Sequence, residues 1–538
     1  MTYVTRMVVL ILILMVMIPI SSSSFADDGI SADFEIVLAD LTSSKFKKRT
    51  QAIEKLVKIN DKRLPLVIDA LLHSQLHYRK ADKLVAVLTE KTGKDYASAV
   101  LTGESLGVAI SSEWKKIIIS NRLRTTLRDA LAMIQLNDEN ATIRKTAVDQ
   151  VLSQIDVKQL AALEKRYKIE QDDDVKEKLN VAISTLKLKK NEGDTRNLIA
   201  NVKDSVNPSV RQVLAEVIDN VNDKETKNLA TKTLAKIDQR VSQYAKVETL
   251  FFGLSLGSVL VLAAIGLAIT FGVMGVINMA HGELIMLGAY TTYVVQLWFP
   301  NLIEYSVLIA IPLAFIVSGL VGILIERGII RFLYGRPLET LLATFGVSLV
   351  LQQVVRSIFG PLNRAVESPT WMSGVWQVND ALALTWNRLY IIVFAVLVFF
   401  ILLFILKKTT LGLKVRAVSQ NRTMACAMGV KANWVDAMTF GLGSGIAGVA
   451  GVALSQLTNV GPNLGQAYII DSFMVVVFGG VGNLWGTLVA GLSLGITNKL
   501  LEPWAGAVLA KIIVLLFIIL FIQKRPSGLF PQKGRAAT

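Results

Sequence analysis

The sequence predicts an all-α protein in two parts, a polytopic transmembrane helical domain preceded by an exported helical domain. Three observations carry this reading. The 538 residues are 52% hydrophobic with a mean hydropathy of +0.49, too apolar for a chain folded wholly in water. The long apolar runs lie in residues 248–523, whereas residues 27–247 are rich in Lys, Asp, Glu and Asn. The first 26 residues have the form of an export signal. The chain therefore divides into a signal peptide (1–26), a helical repeat-like domain (27–247), a membrane domain (248–523) and a tail (524–538).

In the signal segment Arg6 supplies the positive start and Met7 to Ile20 the apolar core. Ser24-Phe25-Ala26 is a small-x-small cleavage pattern before Asp27. The alternative, an uncleaved anchor helix, is disfavoured because the run is short for a full span. Either way, the segment that follows is exported.

Residues 27–247 are expected to be helical and repetitive. Ser43 to Asn60 places Phe46, Ala52, Ile53, Leu56 and Val57 at helical spacing. Similar units begin at Asn137, Gln171 and Ser205. Aligning Ile143-Arg144, Val175-Lys176 and Val210-Arg211 gives spacings of 32 and 35 residues. Each pair follows Asp, Asn or Pro and precedes small and apolar residues on one face. The pattern resembles a HEAT-type α-solenoid, whose helix pairs bury a face only by stacking on neighbours. An irregular helical bundle is the alternative. Cys426 is the only cysteine, so no intramolecular disulfide holds this domain and packing must do so. His73 and His77 lie four apart, but no further ligand completes a metal pattern, and no metal is expected.

The membrane domain holds apolar segments at about 249–271, 280–299, 305–326, 338–359, 389–406, 433–456, 467–480, 484–500 and 504–522. Basic clusters follow the third (Arg327, Arg331, Arg336), the fifth (Lys407, Lys408, Lys414, Arg416, Arg422) and the last (Lys524, Arg525, Lys533, Arg535). With an exported N-terminal domain, nine crossings put all three clusters inside, as the positive-inside rule requires. The short seventh and eighth segments are also compatible with a re-entrant hairpin. The net charge of +15 belongs to these loops and to the Lys-rich domain, and no aromatic-and-basic pattern suggests nucleic acid. Residues 360–388 fall outside and carry Trp371, Trp376 and Trp386, either an interfacial belt or a docking surface.

The stretch Phe271–Tyr290, FGVMGVINMAHGELIMLGAY, places Gly272, Gly275, Gly282, Asn278, His281 and Glu283 between apolar runs. Ionisable groups at membrane depth face a cavity or a partner rather than lipid. The stretch is therefore expected to be a broken, pathway-lining element. Polar groups inside apolar runs complete the candidate translocation pathway: Asn278, His281, Glu283, Thr344, Gln352, Asp471 and Ser472. Structural pairing is the alternative, above all for Glu283 and Asp471; Asp471 is the expected partner of Lys511. A loose likeness between Phe271-Gly272…Asn278 and Phe478-Gly479…Asn483 suggests internal repeats.

This stretch resembles the signature of the inner-membrane permeases of bacterial ABC importers for branched-chain amino acids and urea. TTLGLKVRAVSQNRTMACAMGV (Thr409–Val430), FGGVGNLWGTLVAGL (Phe478–Leu492) and RPSGLF (Arg525–Phe530) resemble the same family, in its order, over about residues 250–531. The resemblance implies a multi-pass permease of the bacterial inner membrane with its N-terminal domain in the periplasm. It implies no enzymatic activity, no cofactor and no catalytic residue. The expected partners are a second permease subunit forming a heterodimer, cytoplasmic ATP-binding subunits, a periplasmic solute-binding protein and membrane lipid. No GxxxxGK[ST] motif occurs, so ATP hydrolysis falls to another chain. The loop Thr409–Lys431 corresponds to the family's ATPase-docking loop, which carries over onto Gly412, Arg416, Ala417 and Gly429; an ordinary basic loop is the alternative. A long exported domain ahead of the first span is similar to that of the urea-type permeases of the family, so urea or a short amide is the expected solute. A branched-chain amino acid is the alternative. A stand-alone carrier or channel would need no docking loop, and an anchored scaffold would need one span.

Overall fold

A computed structural model describes residues 32–530, apart from 44–45, 57–58, 60, 62, 92–93 and 110–112. The signal segment and most of the tail lie outside the described residues. The chain forms two compact units that part between Lys190 and Asn191.

In the first unit α1 (Ala32–Asp40), α2 (Phe46–Leu56) and α3 (Leu64–Leu72) lead into a sheet. Here the all-α expectation is corrected. Five antiparallel strands, β1 (Leu76–Arg79), β2 (Val85–Lys91), β3 (Lys94–Ala99), β4 (Ser105–Val108) and β5 (Trp114–Lys116), run in the order β4-β3-β2-β1-β5. The reason lies in residues Val85 to Leu88. Ala86 and Leu88 pack with Ala97, Ala109 and Trp114 on one face, while Val85 joins Leu76 and Ile117 against the helices on the other. Both faces are covered, so the polar-apolar alternation that marks a half-exposed strand is missing. His73 and His77 fall on different elements, at the end of α3 and in β1.

Four helices follow: α4 (Asn121–Gln135), α5 (Ala141–Gln154), α6 (Leu160–Ile169) and α7 (Asp173–Lys190). The Asn or Asp before each aligned pair is a helix N-cap. Asn140 accepts from the Thr142 amide at 2.9 Å and Asp172 from the Val175 amide at 3.0 Å. The third counterpart, Asn207, caps a helix of the second unit by accepting from the Ser209 amide at 2.9 Å.

Ahead of α7, Glu170 is fully buried. Arg144 donates to it at 2.7 and 2.9 Å, Arg166 at 2.9 and 3.1 Å, and the amides of Gln171 and Asp172 at 3.1 Å. Burial alone would raise this carboxyl. The hydrogen bonds from Arg144, the Asp172 amide and Arg166 outweigh it and hold the group at about 2. A carboxyl depressed in the fold stabilises above its unfolded value and loses that contribution as pH falls through the folded one. Glu170→Gln is expected to cost about 3 kcal/mol at pH 7, since it strands buried guanidinium charge. The thermal midpoint should fall, and the gap from the native protein should close between about pH 4.5 and 2. An equal midpoint at pH 7 would contradict the network's role.

The second unit begins with α8 (Thr195–Val202), α9 (Pro208–Asn220) and α10 (Lys224–Met274). Arg196 pairs with Asp223 at 3.1 Å and Glu225 at 2.8 Å, and Arg211 with Asp238 at 2.6 Å. Capped by Asp223, α10 runs unbroken for 51 residues, about 75 Å, straight through the change of composition at residue 248. It ends at Gly275 in the left-handed region (φ +67°), which glycine adopts without steric cost.

The remaining helices are α11 (His281–Trp298), α12 (Ile303–Gly328), α13 (Pro337–Phe359), α14 (Trp386–Lys408), α15 (Thr410–Gln420), α16 (Arg422–Ala427), α17 (Ala432–Ser455), α18 (Leu464–Gly479), α19 (Leu484–Ala505) and α20 (Ala507–Lys524). Among the described residues seven helices, namely α10, α12, α13, α14, α17, α19 and α20, are long and apolar enough to cross a membrane. Of the nine expected segments the second and seventh fall outside this set: α11, of 18 residues, is as long as α20 but carries His281, Glu283 and Gln296, and α18 has only 16 residues. Contacts sort the helix ends into two sets. At one end Tyr334 and Arg422 meet Asp436, and a Cβ at Gly272 would touch Gly482. There too, the RPSGLF segment lies on the α18–α19 break: the Leu529 and Phe530 amides donate to the carbonyls of Phe478 and Gly479 at 2.9 and 3.2 Å. At the other end Gln296 bonds Glu367, Arg356 bonds Asn463, and Arg364 pairs with Val460. Successive helices therefore alternate in direction. The described members of the basic clusters gather at the first end, called the basic end below; the hairpin β6 (Val375–Asn379) and β7 (Leu382–Thr385) marks the other.

At the centre lies α17, buried over 94% of its apolar window. Gly443 abuts Gly266 of α10, Gly448 abuts Gly288 of α11, and Gly451 abuts Ile285. Between apolar helices in lipid, small residues that let backbones approach are a main source of affinity.

Candidate functional site

Polar residues recur every four positions on α13: Thr340, Thr344, Ser348, Gln352 and Arg356. That spacing puts them on one helix face. Each finds a partner. Thr340 Oγ1 donates to the Leu333 carbonyl at 3.2 Å, and Thr344 Oγ1 accepts from the Met279 amide at 3.1 Å. Ser348 Oγ and Gln352 Nε2 donate to Glu283 Oε1 at 3.0 and 2.7 Å. Arg356 Nη2 donates to Asn463 Oδ1 at 2.6 Å. A polar row thus runs the length of an apolar helix, and its middle part, Thr344 to Gln352, lies against the irregular Val276–Ala280 segment and the first turn of α11.

Glu283 is 1% exposed, and its second oxygen, Oε2, has no hydrogen-bond partner among the described residues. An acceptor left unpaired at that depth costs free energy unless something else visits it. Glu283 stands in the first turn of α11, where the helix dipole favours negative charge. Asn278 Oδ1 accepts from the Ala280 amide at 3.0 Å and shapes the entry to α11, leaving Nδ2 unpaired.

The other expected pathway residues lie elsewhere. His281 is turned to α10, where its Nε2 meets the Ala263 carbonyl at 2.8 Å beside Gly266. It ties α11 to α10 and does not join the seam. Asp471 on α18 takes the expected partner, Lys511 of α20, at 3.2 Å. Ser472 donates to the Tyr468 carbonyl of its own helix at 2.8 Å. So Asn278, Glu283, Thr344 and Gln352 come together, and His281, Asp471 and Ser472 do not join them. Ser348 also belongs to the site, although it is not among the residues the sequence singles out; the four-residue polar period of α13 is the signal that marks it.

At the basic end, α15 and α16 form a short hairpin. Gly412 sits where a Cβ would lie 2.2 Å from the Leu406 carbonyl, so the turn out of α14 needs its missing side chain. Gly429 closes α16 at φ +86°, with the Val430 amide donating to the Ala425 carbonyl at 3.0 Å. Arg416 is exposed and Ala417 half-buried. Val415, Val418 and Ala425 pack on Ala432 and Val435 of α17, while Leu413, Met424 and Met428 face outward. At the opposite end Trp376 stacks on Trp386 with ring centroids 5.8 Å apart, and Trp371 Nε1 donates to the Glu304 carbonyl at 2.8 Å. Among the described residues no cluster of His, Cys, Asp or Glu has the makings of a metal site.

Residues 249–522 match the family described as the permease component of the branched-chain amino acid transport system. The chain is 29% identical over 293 residues to the high-affinity branched-chain amino acid transport system permease protein LivH of Escherichia coli K12, covering 53% of this chain and 94% of that one. It is 29% identical over 296 residues to BraD, the corresponding permease protein of Pseudomonas aeruginosa, covering 53% and 96%. A shorter likeness, 31% over 141 residues, links it to the ribose import permease protein RbsC of Bacillus subtilis, covering 24% and 44%. No solved structure matches the chain.

Proposed function

Because the chain belongs to the family of branched-chain amino acid transport system permease components, we propose that it is the membrane-embedded translocation subunit of an ABC importer, powered by a separate ATPase. The observation that carries this is the buried seam from Thr340 to Gln352, which sets an unpaired Glu283 oxygen inside a multi-pass inner-membrane protein. Asn278, Glu283, Thr344 and Gln352 then face the solute's route, with Ser348 beside them. His281, Asp471 and Ser472 hold the surrounding helices. The hairpin bearing Gly412, Arg416, Ala417 and Gly429 receives the ATPase, since it combines basic residues with outward Leu413, Met424 and Met428. A second permease subunit covers the apolar outer helices, and a solute-binding protein docks near the tryptophans.

Basic loops face the cytoplasm, so residues 27–247, HEAT-like in their repeats, lie in the periplasm. Protease added to spheroplasts should cut within 27–247; cutting only after lysis would reverse the orientation.

The first reading of the solute is a branched-chain amino acid, the cargo in the names of the relatives that match over nearly their whole length. The second is urea or a short amide. What supports it is the long segment at 27–247 ahead of the family match, which on the sequence resemblance corresponds to the exported domain of the urea-type permeases. Both solutes lack net charge and suit a polar lining. In the reconstituted complex, leucine should stimulate ATP hydrolysis on the first reading and urea on the second. Stimulation by neither would remove both.

A further inference from the structure

The hairpin of α15 and α16 is joined to the buried core by one carboxylate. Asp436, in the second turn of α17, has a side chain only 1% exposed. Both its oxygens are engaged. Arg422 Nη2, at the start of α16, donates to Oδ2 at 2.6 Å. Tyr334 Oη, in the turn between α12 and α13, donates to Oδ1 at 3.3 Å. The Arg422 guanidinium also lies over the Tyr334 ring, 4.3 Å from its centroid. Three elements distant in sequence thus meet at one buried charge.

Tyr334 follows Leu333, whose carbonyl accepts from Thr340, the first residue of the polar seam. A continuous series of contacts therefore leads from the basic-end hairpin to Glu283: Arg422 to Asp436 and Tyr334, the Tyr334 turn to Thr340, then along α13 to Ser348 and Gln352. Separating Arg422 from Asp436 would leave a buried carboxylate unpaired, which is strongly disfavoured. The two therefore move together. The apolar contacts of Val415, Val418 and Ala425 with α17 do not impose this, because such surfaces can slide.

We propose that Arg422 is a positioning residue, and that with Asp436 and Tyr334 it links displacement of the α15–α16 hairpin to the α12–α13 turn and so to the polar face of α13. This rests on the reading of the hairpin as the ATPase-docking element. The triad does not touch the solute. It sets how much solute moves for each ATP hydrolysed.

The test uses the whole complex in proteoliposomes, with solute uptake and ATP hydrolysis measured together. Tyr334→Phe removes one hydrogen bond and keeps the ring beneath Arg422. It should leave the amount of inserted protein and its thermal midpoint close to native, and lower the ratio of solute moved to ATP hydrolysed at least threefold. Arg422→Gln should lower that ratio at least tenfold. Where Arg422→Gln inserts poorly, the double variant Arg422→Gln/Asp436→Asn removes both charges and should restore insertion without restoring the ratio. A native ratio in the double variant would overturn the proposal, leaving the pair as charge balance alone. So would a native ratio in Tyr334→Phe. Native protein whose uptake needs no ATP would instead overturn the docking reading, and the triad's role with it.

Discussion

Gly288→Leu is expected to abolish folded protein in the membrane. A Cβ at position 288 would lie 1.9 Å from the Gly448 carbonyl oxygen and 2.5 Å from that residue's Cα. No real contact is that close, and what it meets is backbone, which has no rotamer to turn aside. The helices α11 and α17 would have to separate, and α17 also touches α10 and α12 through Gly443 and Gly448. Displacing the central helix opens all of these contacts together. In lipid no hydrophobic drive between helices compensates, because close packing is what holds them. The cost is on the order of 4 kcal/mol or more, in the range reserved for overpacking of a core. Membrane yield and monodispersity after detergent extraction report it. Gly346→Leu on α13 is the matched control, since nothing lies within 4 Å of a Cβ there. Native yield from Gly288→Leu would mean that α11 and α17 do not pack in this way.

The second large effect is on transport. Glu283→Gln keeps an acceptor for Ser348 and Gln352 and nearly the same shape, but replaces the unpaired carboxylate oxygen with an amide group. Insertion should persist. If that oxygen receives a donor from the passing solute, its loss removes a charge-assisted hydrogen bond of about 2 kcal/mol. The kcat/KM of uptake should then fall about 30-fold. Ser348→Ala leaves the 2.7 Å bond from Gln352 in place and should cost much less. Uptake that is native with Glu283→Gln would place the route elsewhere and leave the seam as helix packing.

Much of the membrane domain was legible in one dimension. The length of an apolar run and the sign of the charge beside it belong to the local chain, and the bilayer acts on them directly. That is why seven of the nine expected segments are helices long and apolar enough to span, and why the described basic residues gather at one end. The pairing of Asp471 with Lys511 was legible for a related reason: a buried charge needs an opposite one, and few were on offer.

What the sequence left open depends on the rotation and register of elements about one another. In the sheet of residues 76–116, β2 is covered on both faces and β4 is exposed along its length, so no period betrayed either strand. His281 and Glu283 stand two residues apart and read as one motif, yet two residues turn a helix by about 200°. One therefore meets α10 and the other α13. The glycines of α17 announce close packing but not its partners. Arg422 counted in the sequence only as one member of a basic cluster, and the structure brings it together with Asp436 and Tyr334 of the α12–α13 turn. By itself, the sequence determined which segments are apolar enough for a membrane and which loops are basic, because those follow from each residue's own transfer energy. Only the tertiary structure decided which polar groups share a seam, because that follows from how the helices are turned against one another.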